Sequence, residues 1–173
     1  MCETIEAGRT KPPTLLLTCA SEEPFASIGL PHAPIFTANQ RLNHSATRTL
    51  SIRVRMPHNH DEGEHPEEIF AFADRLLRSM PPLASVQAQR QRGELVWLSY
   101  TAQIPIAKVD FNFTTDHGEW KDRHWTTVAA ESQGQHKFRA TLPPGVTAYY
   151  FNLSDEHGLV VSSDLRFVAG ATQ

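Results

Sequence analysis

At 173 residues the chain has room for one ordinary domain or two small ones, and either can bury a core without disulfide staples. A formal net charge of -3, with 20% charged and 40% hydrophobic residues, gives no basic field for nucleic acid or an anionic membrane surface, so neither partner is expected. Cys2 and Cys19 are the only cysteines, which argues against a disulfide framework or a thiolate metal site, and no cofactor is expected.

Met1 to Lys11 lacks the apolar core of an export signal, and nowhere do 18 apolar residues run together, so no signal peptide or membrane span is expected in this chain and the compartment stays open. Pro12 and Pro13 lead into Thr14 to Thr18, a short apolar run without alternation, which predicts a strand buried on both faces of a parallel sheet. Ser21, Glu22, Glu23 and Pro24 break that run. Ile35, Ala38 and Leu42 then recur at helical spacing between Pro34 and Asn43. Leu50, Ile52 and Val54 alternate with polar residues and predict a second strand, ended by Met56 and Pro57. After a polar loop, Pro66 suits the first position of a helix and Glu67 and Glu68 complement its positive end. Ile69, Phe72, Ala73, Leu76 and Leu77 make one apolar stripe, and Pro81 and Pro82 end the helix.

From Gly93 onward the pattern is strand after strand. Val96, Leu98 and Tyr100 alternate with polar positions, as do Val109, Phe111 and Phe113, then Phe138, Ala140 and Leu142, then Tyr149, Phe151 and Leu153. Each strand is expected to have one wet face. Gly- and Pro-rich turns separate them, and the last strand is expected over Leu159 to Val168. These features predict a mixed strand-and-helix unit over 12–80, a linker over 81–93 and an antiparallel β-sandwich of immunoglobulin-like size over 94–169.

The first unit orders its parts as strand, acidic loop, helix, strand, histidine loop, helix. In a Ser-His-acid hydrolase, an imidazole takes the nucleophile's proton while a nearby carboxylate fixes its tautomer. Loops at the C-terminal edge of adjacent parallel strands bring such groups together. Pro13 to Thr18 with the acidic residues beyond it, Arg53 to His60, and Pro66 to Asp74 together resemble the end of α/β-hydrolases of the acetyl xylan esterase and dienelactone hydrolase type. Some large bacterial members of that group are similar in carrying a β-sandwich tail. Trp120, Arg123 and Trp125, Leu142-Pro143, and Ala148 to Asp155 fall where that tail would lie.

The resemblance implies an α/β plus all-β chain, a partial α/β-hydrolase followed by an immunoglobulin-like sandwich. It implies His60 as the general base, with His58 as second choice, and Glu22 as the orienting acid, with Glu23 as second choice. It also implies an ester or carbohydrate-ester small molecule as the substrate of the intact family. The chain departs from the pattern after the first strand, where Cys19 stands for the usual Gly and Glu22 for Asp. The larger departure is the nucleophile: no two glycines lie four apart, so no G-x-S-x-G elbow is present, and in the family order that Ser would precede residue 1. The expectation is therefore a truncated or remnant esterase-like hydrolase, inactive alone, whose two-stranded sheet invites self-association or a partner that completes it.

A second function class is a non-catalytic module that binds a carbohydrate or protein ligand through the sandwich. Trp97, Trp120 and Trp125 with Tyr149 and Tyr150 are the candidate carbohydrate-stacking residues, although core packing is the commoner use of such side chains. The cluster of His58, His60, Asp61, Glu62, Glu64 and His65 offers metal-ligand chemistry, but its loop feeds a helix where a cupin-like site would join two strands, so no metal is assigned.

Overall fold

The computed structural model describes residues 14–19, 48–54, 65–118 and 122–168. In chain order they form β1 (Thr14–Cys19), β2 (Arg48–Arg53), α1 (Glu67–Arg78), β3 (Ser85–Arg92), β4 (Leu95–Thr101), β5 (Ile106–Thr114), β6 (Thr126–Ala129), β7 (Glu131–Ser132), β8 (Lys137–Thr141), β9 (Ala148–Asp155), β10 (Val160–Ser162) and β11 (Arg166–Phe167). The expected helix over 34–43 lies outside the described residues.

Strands β3 to β11 make two antiparallel sheets. One has the order β3-β4-β8-β7 and the other β10-β9-β5-β6, with β11 also pairing with β9. The period-two pattern explains their stacking, because apolar residues at alternate positions give each sheet one oily face that must meet another. Val96, Leu98 and Ala140 from the first sheet join Val109, Phe111, Phe113, Tyr149, Phe151 and Leu153 from the second in one buried cluster. The Phe111 ring lies 5.0 Å from Phe151 and 5.7 Å from Tyr149, within the range of favourable aromatic pairs. Tyr149 also donates its hydroxyl hydrogen to Gln91 Oε1 at 3.0 Å, which bonds the two sheets across the core. Burial pushes the Tyr149 phenol above its usual pKa, opposed by the charge of Arg166.

The span expected as a linker, 81–93, contains β3, which pairs with β4 along its whole length. Its six polar residues, Ser85, Gln87, Gln89, Arg90, Gln91 and Arg92, conceal a strand that supplies the edge of the first sheet. Gly93 carries φ +59° in the two-residue turn from β3 to β4, a backbone conformation that costs a residue without Cβ little.

A second core lies on the opposite face of the β5–β9 sheet. Leu50 and Ile52 of β2 pack there with Trp125, Ala148, Tyr150 and Leu165. A closed set of hydrogen bonds fixes the contact: Ile52 N–H donates to Ser162 Oγ at 2.7 Å, Ser162 Oγ donates to Asn152 Oδ1 at 2.5 Å, and Asn152 Nδ2 donates to Ile52 O at 3.0 Å. The expectation of one wet face per strand therefore fails for β9, where Ala148, Tyr149, Tyr150 and Phe151 are all buried. The covering layer is β2 itself.

This arrangement corrects the α/β-hydrolase expectation. β1 and β2 do pair in parallel, Thr14 opposite Arg48 through Cys19 opposite Arg53. Every other pairing among the described residues is antiparallel, and they contain one α-helix. In an α/β-hydrolase, helices cover both faces of a mostly parallel sheet. Here the apolar side of β2 is covered by a β-sheet, and α1 leads into an antiparallel strand.

The helix forms where expected but is held differently. Pro66 is its N-cap with φ -59° and ψ 119°, and Ser79 ends it in the left-handed region as Met80 N–H reaches back to Asp74 O. Leu76 and Leu77 of the expected stripe are 53% and 82% exposed. The buried anchor is Glu68, whose carboxylate accepts two hydrogen bonds from Arg53 Nη2 at 2.7 and 2.8 Å and one from Val160 N–H at 2.6 Å. No helix among the described residues is long and apolar enough to cross a membrane.

Candidate ligand-binding face

Trp97 sits on β4 between Val96 and Leu98, both of which are buried in the sandwich core. Strand alternation turns Trp97 to the outer face, where it is half-buried. Register then decides its neighbours. Arg90 of β3 lies opposite Trp97 on one side and Arg139 of β8 on the other. The next row along the strands, roughly 7 Å away, is Ala88, Ser99 and Lys137.

The small side chains of Ala88 and Ser99 leave a depression beside the indole. Together with Arg90, Trp97, Gln133 and Lys137 they line an open cavity of about 470 Å³. That volume lies within the roughly 300–1,000 Å³ of typical small-ligand sites. The cavity lies over the paired strands β3, β4 and β8. An aromatic side chain with polar residues beside it offers an apolar surface to a flat ring and hydrogen-bond donors to the groups around its edge.

The electrostatics of this face differ from those of the whole chain. Arg90, Arg92, Lys137 and Arg139 gather on or beside it, although the formal net charge of the chain is -3. Arg139 Nη2 contacts Glu131 Oε2 at 2.6 Å, a partly exposed pair. Arg90, Arg92 and Lys137 form no ion pair among the described residues.

Of the other aromatic residues read as a stacking set, Tyr149 belongs to the sandwich core, and Tyr150 and Trp125 belong to the second core with ring centroids 5.2 Å apart. Trp120 lies outside the described residues. Among the described residues of that set, Trp97 is the one that faces solvent beside a cavity. The sequence points to Trp97 but not to Arg90 and Arg139, because cross-strand neighbours follow from register and the polar 81–93 span reads as a linker. The alternation of Gln89, Arg90, Gln91 and Arg92 was the available signal.

The hydrolase candidates Glu22, Glu23, His58 and His60 all lie outside the described residues. β1 and β2 end at the same edge of their pair, Cys19 opposite Arg53. Of the histidine-loop metal cluster, His65 alone is described, and among the described residues no group of three or more His, Cys, Asp or Glu is placed to hold a metal ion.

No family model and no curated protein matches the chain. Among solved structures, the chain is similar to a pectate lyase from Pectobacterium carotovorum with a TM-score of 0.33 and 12% identity, over 51% of this chain and 27% of that one. The chain thus spans about a quarter of that protein's length, and so shallow an overlap carries no argument about fold family or activity. The esterase resemblance read from the sequence is corrected accordingly, since neither the sheet architecture nor any match supports it.

Proposed function

We propose that the chain is a non-catalytic binding module that holds a saccharide against Trp97 on the outer face of its four-stranded sheet. The observation that carries this proposal is the half-buried indole at the wall of the 470 Å³ cavity, flanked by Arg90 and Arg139 on both neighbouring strands. A pyranose ring presents C–H groups on its faces and hydroxyls around its rim. The negative π-face of an indole attracts the former, and Ser99, Gln133 and the guanidinium groups suit the latter. A half-buried Trp on a paired strand also loses little side-chain freedom on binding, which lowers the entropic cost of holding a ligand.

Affinity electrophoresis against a panel of neutral and acidic polysaccharides tests this proposal. The intact chain is expected to be retarded by at least one polymer, and Trp97→Ala to weaken that binding about tenfold while still unfolding in one cooperative transition. Retention of full binding by Trp97→Ala, or retardation by no polymer, overturns it. Capture of a protein ligand in a manner dependent on Trp97 also overturns it, in favour of a protein-binding face.

A further inference from the structure

We infer that the ligand of the Trp97 face carries anionic groups, so that an acidic saccharide, with carboxylate or sulfate on its ring, is the class this site takes. The inference rests on the saccharide proposal above and adds to it the charge of the site. Three cations, Arg90, Lys137 and Arg139, surround the indole within two cross-strand rows. Like charges on one sheet face repel one another, so such a cluster is disfavoured unless something neutralises it.

Glu131 is the one carboxylate bonded to this cluster among the described residues, through a single Arg139 nitrogen. Arg90 and Lys137 have no such partner there. Lys108, Asp110, Asp74 and Arg78, by contrast, are spent on one another elsewhere. Arg90 and Arg139 are the cross-strand partners of the same indole and stand on its two sides, with Arg139 bonded to Glu131 of β7. A planar fork recognises a carboxylate or sulfate through paired N–H donors, and Lys137 adds a point charge in the next row. A neutral sugar would leave Arg90 and Lys137 without a counter-charge.

The probes are alginate and hyaluronan, each compared with its carboxyl-reduced neutral form, and chondroitin sulfate as the sulfated arm. Isothermal titration at low and moderate salt reads the affinity of the intact chain. At least one acidic polymer is expected to bind about tenfold or more tightly than its reduced form, and to weaken as salt rises. Arg90→Gln and Arg139→Gln are each expected to weaken the acidic polymer several-fold. Arg75→Gln, a like change of charge on the exposed end of α1, should leave it unchanged. A preference for chondroitin sulfate over both uronates identifies sulfate as the anion, and the reverse identifies carboxylate.

Equal binding of acidic and reduced polymers, still lost in Trp97→Ala, overturns the anionic class and leaves the saccharide proposal standing. Binding of poly-glutamate as tight as that of the acidic polymers and indifferent to Trp97→Ala overturns both, since the face is then a general polyanion surface. Failure of every acidic polymer to bind overturns the inference outright.

Discussion

Glu68 shows how much one side chain can decide. Its charge was legible as a complement to the helix dipole, the ordinary role of an acidic residue in a first turn. In the structure its side chain is fully buried and bridges three elements, meeting Arg53 at the end of β2 and the Val160 backbone at the start of β10. Nothing in the sequence marks it apart from its neighbour Glu67, because the difference lies in what surrounds it. Removing it leaves Arg53, whose side chain is 37% exposed, without its counter-charge, and leaves a backbone N–H without its acceptor. Glu68→Ala is expected to cost about 3 kcal/mol in denaturant unfolding. Glu68→Gln, which keeps an acceptor for Val160, should cost clearly less. Equal midpoints for Glu68→Ala and the parent chain would show that the bridge contributes nothing.

Among elements, those whose fate depends on their own periodicity were legible and those fixed by partners were not. β4, β5, β8 and β9 were read with their correct inward residues, since Val96, Phe111, Ala140 and Phe151 all reach the sandwich core. The polar β3 was missed because an edge strand needs few apolar residues, and the exposure of Leu76 and Leu77 was missed because a stripe shows what a helix can bury, not what it meets. Of the candidate site, Trp97 was visible and its cationic frame was not.

The corner between β5 and β6 is another tertiary device, and it titrates. Asp116 Oδ2 accepts from His124 N–H at 2.7 Å and lies 3.2 Å from His124 Nδ1, while Asp116 O accepts from Thr147 Oγ1 at 2.8 Å. The His124 backbone bond, then its ring, and the nearby charge of Arg123 hold the Asp116 carboxyl below its ordinary value. In acid the unfolded chain therefore binds this proton first. The clamp stabilises the fold fully above about pH 4, the ordinary carboxylate value, and is lost as pH falls through the lower folded value. Asp116→Asn is expected to flatten that part of the acid unfolding profile, seen by following Trp fluorescence, since His124 precedes the buried Trp125. An unchanged profile would count against the clamp.

At the scale of the molecule, β2 and the sandwich share a core in the described structure. β2 buries Leu50 and Ile52 against the β5–β9 sheet and satisfies the side chains of Asn152 and Ser162 with its own backbone. Burying two aliphatic side chains stabilises by roughly 3–6 kcal/mol, a large share of the 5–15 kcal/mol typical of a whole domain. A chain begun at residue 81 loses that burial and the Glu68 acceptor of Val160, and it exposes Tyr150 and Trp125, which are buried in the full chain. It is expected to unfold at markedly lower denaturant and to bind a hydrophobic dye that the full chain excludes. Ile52→Ala, which leaves the chain whole, should lower the unfolding free energy by about 2–5 kcal/mol through the same surface. If the shortened chain instead unfolds at the parent's midpoint without taking up dye, the sandwich is self-sufficient and β2 is an accessory to a fold it does not support.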